Sequence, residues 1–172
     1  MIAVVGEKRS DGKSSFRNLV KYILAPDDDQ KTLYTNSRGF EIPIGNVNEL
    51  VNEMESTADL NKRIGDPVFH GILSFREGEV PTKEQIDEAV DIYLKELNLE
   101  GCQCFYGVHQ NTGNYHIHLC VNRVDPVSHK AILPANGLWK KADERASRRI
   151  ELAQGWEIED SGIHYEVIDG DI

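Results

Sequence analysis

Three histidines that lie close together carry the clearest chemical signal in the sequence. His109, His116 and His118 fall within ten residues and make up half of the chain's six histidines. Alternate side chains of a β-strand share a face, so His116 and His118 point the same way. A hairpin turn through residues 110–114 places His109 opposite His116.

Such a cluster has a specific chemical use. Neutral imidazole nitrogens bind divalent metal ions, and three protein ligands leave coordination positions open for a reacting oxygen. The histidine pattern therefore predicts a metal site on one face of a hairpin. The alternative is a set of surface histidines on a solvated sheet face, and three histidines with the correct parity favour the metal site.

The elements that position these histidines can be read from the apolar pattern. Strands are predicted at 2–5, 68–75, 102–109 and 115–123. Capping boxes begin helices at Asn46 and Thr82, the first of them running to about residue 62, and Gly155 ends a helix over 137–154. Strands paired as neighbours, with helices on one side, predict an α+β fold with a central, mainly antiparallel β-sheet and helices packed on it.

A helix is also predicted at 14–24, because its apolar residues recur at helical spacing. Tyr22 falls about 130° from the centre of this apolar stripe, on the polar side of the helix beside Lys21. Arg17 also lies outside the centre of the stripe. A tyrosine in this position, taken alone, is more often a packing residue at an amphipathic boundary.

The segment before this helix has the look of a phosphate-binding loop but lacks its spacing. Five residues separate Gly6 from Gly12, whereas a P-loop needs four to direct its backbone N–H groups at the phosphates. We therefore expect no bound nucleotide and interpret the segment as a polar loop ahead of the helix.

Length and composition restrict the class of protein. The chain has 172 residues, of which 28% are charged and 40% hydrophobic, with a net charge of −10. These values are typical of one globular domain. There is no apolar run long enough to span a membrane, and three clustered cysteines make no disulfide framework, so we expect a location in the cytoplasm.

The charge is unevenly distributed. Residues 1–26 and 137–150 each carry five basic and two acidic groups, while residues 151–172 carry seven acidic and no Lys or Arg residues. A polyanion can dock on the two basic segments, although solvated helix faces are the simpler interpretation.

Three segments together resemble a known family. Residues 13–23, 72–79 and 109–123 are similar, in order and spacing, to motifs I, II and III of the plasmid relaxases of the MOBP class, closest to the TraI relaxases of IncP plasmids. The third is the HUH signature, in which two histidines flank a bulky hydrophobic residue. The resemblance covers most of residues 1–155 and implies the HUH fold in a single catalytic domain over 1–172, expected to be the N-terminal part of a longer bacterial protein.

The resemblance also implies a reaction. Relaxases nick one DNA strand at an origin of transfer to start conjugation or plasmid mobilisation, through attack by a tyrosine that leaves a 5′-phosphotyrosine intermediate and a free 3′-hydroxyl. By this resemblance Tyr22 is the nucleophile, and His109, His116 and His118 hold a divalent metal ion, with Mg²⁺ or Mn²⁺ expected first. Ser74 matches the serine that holds the DNA near the nick.

Other residues have supporting roles in this hypothesis. His70 shares a strand face with Ser74, which makes it a candidate to contact the metal ligands. Asn111 stands where relatives usually carry an aspartate, and an amide cannot act as an anionic acceptor beside a metal ligand. Four basic residues are candidate phosphate contacts: Arg17, Lys21, Arg76 and Arg123.

The expected partners follow from the family. They are single-stranded DNA at an origin of transfer, an accessory DNA-binding protein, and the coupling protein of a secretion system. Two alternatives use the same fold: a replication initiator with HUH chemistry, and a catalytically weakened DNA-binding module, which Asn111 and the acidic charge would favour. A cupin-like oxygenase is the weakest alternative, because no Glu ligand lies between His118 and His129.

Overall fold

A five-stranded antiparallel sheet forms the centre of the molecule. The computed structural model describes residues 1–5, 14–24, 31–40, 46–111, 113–132, 138–158, 165 and 168. Its strands are β1 (Ile2–Val5), β2 (Lys31–Arg38), β3 (Val68–Ser74), β4 (Cys104–Asn111) and β5 (Asn114–Asn122). Its helices are α1 (Phe16–Leu24), α2 (Val47–Ala58), α3 (Lys83–Glu96) and α4 (Leu138–Gln154). The strand order is β1-β3-β5-β4-β2, which confirms the predicted α+β class.

Helices cover both faces of this sheet, so the expectation of helices on one side is wrong. Ile117, Leu119 and Val121 of β5 point into a core with α3 and α4. Cys120, which has the opposite parity, lies in a second core with α1 and α2. Since β3 and β5 carry apolar side chains at both parities, each face must be covered to remove them from water.

Strand β2 was not predicted. Residues 31–38 are largely polar, and the side chains of residues 32–38 are half-buried or exposed at the edge of the sheet. The strand forms because its backbone pairs with β4, from Lys31 opposite Gln110 to Arg38 opposite Cys104. An edge strand that is stabilised by backbone pairing gives little hydrophobic signal. The run of Thr, Leu, Tyr and Thr at 32–35 is the one feature that favours a strand.

The hairpin turn is tighter than the sequence indicated. Strand β4 continues to Asn111 and β5 resumes at Asn114, so two residues separate the strands instead of the expected five. Gly113 has φ of 91°, the left-handed conformation that glycine adopts without strain.

The helix signals are confirmed with small differences in length. Thr82 and Gln85 form the reciprocal capping box of α3, and the Asn46 side chain accepts hydrogen bonds from the N–H groups of Asn48 and Glu49. Helix α2 ends at Ala58 and not near residue 62, and Gly155, with φ of 70°, follows α4.

The basic stretch on α4 has a structural use. Arg145 and Arg149 each place Nε within 2.9 Å of the Glu96 carboxylate on α3. Arg148 lies 3.9 Å from Glu151 on its own helix. Arg145 and Arg149 join α4 to α3, and together with the Arg148 pair this accounts for part of the local positive charge without a bound polyanion. None of the described helices combines the length and the apolar character needed to cross a membrane, and the loop-like segment 6–13 lies outside the described residues.

A buried carboxyl group between α3 and α4 makes stability depend on pH. Asp143 is buried and accepts a 2.9 Å hydrogen bond from the hydroxyl of Tyr93. Burial raises the pKa of Asp143 to about 6, although the Tyr93 hydrogen bond acts in the opposite direction. As the pH rises, the Asp143 carboxyl therefore keeps its proton in the folded protein to a higher pH than in the unfolded chain, where its pKa is near 3.9.

We expect this carboxyl to stabilise the fold at acid pH only. Its contribution is fully present below about pH 4 and is lost as the pH rises through about 6. In Asp143→Asn the amide oxygen still accepts from Tyr93 and does not titrate. The free energy of unfolding of wild type minus that of Asp143→Asn should fall by about 2 kcal/mol between about pH 4 and pH 7. Urea titrations at several pH values measure this difference, and a difference that stays constant with pH would contradict the prediction.

Candidate active site

The hairpin and its neighbour β3 bring four histidines together on the face that α1 covers. His109 lies opposite His116 in the β4–β5 register, as the sequence predicts. His118 lies opposite Gly107 on one side and Ile72 of β3 on the other. His70 projects from β3 on the same face. We call His70, His109, His116 and His118 the histidine cluster.

His118 lies at the centre of the histidine cluster. Its ring centroid is 4.6 Å from that of His109, 5.4 Å from that of His70 and 6.5 Å from that of His116. The Nε2 atom of His70 lies 3.1 Å from the Nδ1 atom of His118, within hydrogen-bonding distance. The predicted contact between His70 and a metal-ligand candidate is therefore present in the structure.

The protonation pattern of His109 is fixed by the backbone. Its Nε2 lies 2.8 Å from the carbonyl oxygen of Ile23, and since a carbonyl only accepts, Nε2 carries the hydrogen. Its Nδ1 is buried and has no hydrogen-bond partner in the described part of the chain. The lone pair on Nδ1 is therefore free, which is the arrangement found in metal-binding histidines whose other nitrogen donates to a carbonyl.

The surroundings hold all four histidines in the neutral form at pH 7. Burial, followed by the nearby charge of His109, lowers the pKa of His70 to about 4 and that of His118 to about 3. Burial also lowers the pKa of His109 and His116. Neutral imidazole is the form that coordinates a divalent ion.

The donor set suits a metal ion, but the side chains are not yet arranged around one. Within the described ranges, no group of three His, Cys, Asp or Glu side chains is spaced to hold a metal ion. The buried, unpartnered Nδ1 of His109 and the neutral rings beside it are the features that fit a metal.

Tyr22 packs directly on the histidine cluster. Its ring lies 5.3 Å from that of His109, 5.2 Å from that of His118 and 6.4 Å from that of His70, in each case edge to face. Tyr22 is off the buried stripe of α1, as predicted, but it is half-buried against the sheet and does not point into solvent. Tyr22 therefore contacts the histidines although it lies outside the buried stripe of α1.

A cavity of about 310 Å³ opens beside Tyr22. Its walls come from the start of α1 and from β3, and include the side chains of Ser14, Asn18, Tyr22 and His70. We call it the Tyr22 cavity. The cavity therefore borders Tyr22 on α1 and His70 on β3.

The close approach of α1 to the sheet depends on Gly107. A Cβ atom at this position would lie 2.6 Å from Cγ2 of Ile23 and 3.2 Å from Cγ2 of Thr35. Ile23 is fully buried and its carbonyl holds His109, so α1 would have to move outward.

We therefore expect Gly107→Ala to lower the free energy of unfolding by about 1–3 kcal/mol, the usual cost of overpacking, and to separate Tyr22 from the histidine cluster. Gly65→Ala is the matched control, because a Cβ there has nothing within 4 Å, and it should change stability by no more than about 0.5 kcal/mol. Equal stability of the two variants in chemical denaturation would show that α1 does not need the glycine.

The other predicted site residues fall into two groups. Ser74 is near the histidine cluster, directly opposite His116 in the β3–β5 register. Lys21 and Arg17 both lie on α1. Lys21 is exposed next to Tyr22, and Arg17 donates from Nη1 to Oδ1 of Asn48 at 2.8 Å.

The remaining residues lie elsewhere. Arg76 pairs with Glu157 at 2.7 Å, and Arg123 stacks over the ring of Trp139 and donates to the carbonyl oxygen of Asp66. The structure does not bring these two arginines into the histidine cluster. The side chain of Asn111 lies outside the described residues.

Sequence reasoning missed how His109 is held. The carbonyl of Ile23 accepts from His109 and also from the hydroxyl of Thr32, 2.8 Å away on β2. This arrangement joins α1, β2 and β4 at one point. A backbone carbonyl leaves no trace in residue type, and Thr32 lies on the strand that the sequence did not predict.

Comparison with known proteins gives a family. A model of the MobA/VirD2-like relaxase nuclease domain matches residues 22–156, a region that contains Tyr22 and the whole histidine cluster. The chain is 44% identical over 107 residues to the protein MobA of Acidithiobacillus ferrooxidans, which covers 62% of this chain and 26% of that protein. It is 32% identical over 131 residues to a TraI protein of Escherichia coli, which covers 75% of this chain and 17% of that protein.

The chain therefore belongs to the MobA/VirD2-like relaxase family, in agreement with the resemblance seen in its three motifs. It spans about a quarter or less of the length of these relatives. Relaxases are in general metal-dependent enzymes that act on DNA.

Proposed function

We propose that this domain nicks and rejoins one strand of DNA at an origin of transfer, with Tyr22 as the nucleophile. The observation that carries the proposal is the packing of the Tyr22 ring on His109 and His118, with centroid distances of 5.3 and 5.2 Å. Family membership supplies the class of substrate. The helix and the hairpin meet in the fold although nearly ninety residues separate them in the sequence.

The proposed step exchanges one phosphodiester for another. The phenolic oxygen of Tyr22 loses its proton and bonds to the scissile phosphorus, and the bond from phosphorus to the 3′ oxygen breaks. The 3′ oxygen takes up a proton to become a hydroxyl, and the 5′ phosphate stays on Tyr22. Because no high-energy bond is lost, the reverse reaction rejoins the strand without a nucleotide cofactor.

The chain's own residues bind and orient the strand in this scheme. The Tyr22 cavity admits the strand, Ser74 and Lys21 hold phosphates on either side of the tyrosine, and Arg17 extends this basic surface along α1. His109, His116 and His118 would hold a divalent ion, Mg²⁺ or Mn²⁺, and His70 would orient His118 through their hydrogen bond. When bound, the ion neutralises charge on the non-bridging phosphate oxygens.

An adduct assay tests the proposal. The protein is mixed with single-stranded oligonucleotides tiled across the DNA element that encodes it, with Mg²⁺ or Mn²⁺, and separated on a denaturing gel. We expect a protein band shifted by the mass of the cleaved strand, lost when a chelator removes the ion. Tight DNA binding with no shifted band on any oligonucleotide would favour a catalytically weakened DNA-binding module.

The same assay addresses the wider process. By analogy with the family, the domain acts with an accessory DNA-binding protein and a coupling protein of a secretion system. An adduct confined to oligonucleotides from an origin of transfer supports that process. An adduct confined to a replication origin would assign the domain to replication initiation.

A further inference from the structure

A second cavity, at the end of the sheet, is lined by basic and neutral residues. Its volume is about 440 Å³, and it lies between the loop after α2 and the turn after β5. Eight residues line it and none is acidic: Asn61, Arg63, Ile64, Gly65, Arg123, His129, Lys130 and Ala131. In a chain with a net charge of −10, such a set of three Arg or Lys residues and one His is a local exception. We call it the basic pocket.

The cations of the basic pocket are available to a ligand. Arg63 and Lys130 are exposed, and within the described ranges neither has a carboxylate within 4.0 Å. Arg123 is half-buried; one of its terminal nitrogens donates to the Asp66 carbonyl, and its Nε is buried with no hydrogen-bond partner among described residues. Two carboxylates act on residues of the basic pocket, that of Asp66 on Arg123 and that of Asp125 on His129. The Asp66 oxygens already accept from the Ser14 hydroxyl and the Val68 N–H.

The two loops that form the basic pocket are held by hydrogen bonds. The Asp125 carboxylate accepts from the N–H groups of Val127 and Ser128, and the Lys130 carbonyl accepts from the N–H of Asp125. The Asn61 amide joins the loops by donating to the His129 carbonyl at 3.0 Å. The backbone that carries the cations is therefore held before a ligand arrives, which lowers the entropic cost of binding.

The basic pocket lies close to the Tyr22 cavity. Both border the start of β3: Val68, its first residue, lines the Tyr22 cavity, and the Arg123 N–H donates to the carbonyl of Pro67, the residue before it. From His70 to Pro67 is three residues of extended chain, about 10 Å. At a stacked rise of about 3.4 Å per nucleotide, this distance corresponds to about three nucleotides.

From this placement we infer that the basic pocket binds a backbone phosphate of the single-stranded DNA that passes through the Tyr22 cavity. Arg63, Arg123 and Lys130 donate to the non-bridging oxygens of one phosphate, a few nucleotides from the scissile bond. The contact holds the strand in register and reads no base, since it involves phosphate oxygens only. This inference rests on the proposed function, because it names a further contact for the same strand.

Salt-dependent binding tests the inference. Fluorescence anisotropy with a labelled single-stranded oligonucleotide from the adduct-forming region is measured at stepped salt concentrations for wild type and for the double variant Arg63→Ala/Lys130→Ala. Both residues are exposed, so we expect no change in folding, and a thermal melt checks this. We expect affinity to fall at least about tenfold and the slope of log affinity against log salt to decrease by about 0.7, the value for one lost phosphate contact on a single strand.

The matched control removes the same charge elsewhere. Lys62→Ala/Lys95→Ala deletes two exposed lysines outside the basic pocket, one of them next to Arg63 in sequence, and should leave the slope unchanged. A scan of neutral methylphosphonate linkages then locates the phosphate. One position near the nick should weaken wild type but not the Arg63/Lys130 variant.

The outcomes separate this inference from the proposed function. Equal salt slopes for the two double variants, with adduct formation by wild type intact, would show that the basic pocket does not bind a DNA phosphate. The proposed nicking activity would stand. If Arg63→Ala/Lys130→Ala loses affinity only for hairpin duplex DNA, the basic pocket does not bind the single strand. Absence of both DNA binding and adduct in wild type would overturn both.

Discussion

Tyr22→Phe should abolish the covalent adduct while leaving the fold and DNA binding intact. The substitution removes one oxygen and keeps the ring that packs edge to face on His70, His109 and His118. Without the phenolic oxygen there is no atom to bond to phosphorus, and loss of a nucleophile costs at least about 10³-fold in rate. Single-turnover adduct formation on a denaturing gel measures the effect.

Tyr115→Phe is the matched control for this variant. Tyr115 also lies on the hairpin and is partly buried, but it packs with the core on the opposite face of the sheet. We expect adduct formation within about twofold of wild type, since ordinary substitutions away from the site change little. An adduct that survives in Tyr22→Phe and disappears in Tyr115→Phe would place the nucleophile on the hairpin.

His118→Ala should have the second largest effect, through the metal. His118 has the central position in the histidine cluster and contacts the rings of His109, His70 and Tyr22. Its removal takes away one of three proposed ligands and leaves the His70 nitrogen without its partner. We expect Mn²⁺ affinity, measured by calorimetry, to fall by at least about 10²-fold, and adduct formation to fall with it.

His129→Ala is the control for His118→Ala. His129 is exposed in the turn after β5 and is not part of the histidine cluster, so Mn²⁺ affinity should match that of wild type. Chelation should abolish adduct formation in wild type, and added Mn²⁺ should restore it. Mn²⁺ affinity that is equal in wild type and His118→Ala would show that the metal ion does not bind at the histidine cluster.

Much of the site was predictable because its signal is local. The parity of His116 and His118, together with a glycine-containing turn, is enough to place His109 opposite His116, and the structure has this register. Tyr22 could be assigned only through the family resemblance, because no local pattern shows that α1 crosses the hairpin. That contact is tertiary and depends on the bare backbone at Gly107.

Other features could not be read because they depend on backbone pairing or on distant contacts. Strand β2 has a polar sequence and is held at the sheet edge by its hydrogen bonds to β4. Arg76 and Arg123 are basic residues close in sequence to motifs II and III, yet their partners are Glu157 and Asp66. Residue type predicted the charge of these side chains, whereas the packing of neighbouring segments determines where they point.

The covalent attachment of DNA to Tyr22 is the central claim, and mass spectrometry tests it most directly. Wild-type protein is reacted with an adduct-forming oligonucleotide, treated with nuclease and trypsin, and the tyrosine-containing peptides are sequenced. We predict a nucleotide linked through its 5′ phosphate to the peptide that contains Tyr22, and no other modified tyrosine. A nucleotide on a different residue, with the Tyr22 peptide unmodified, would contradict the proposed mechanism.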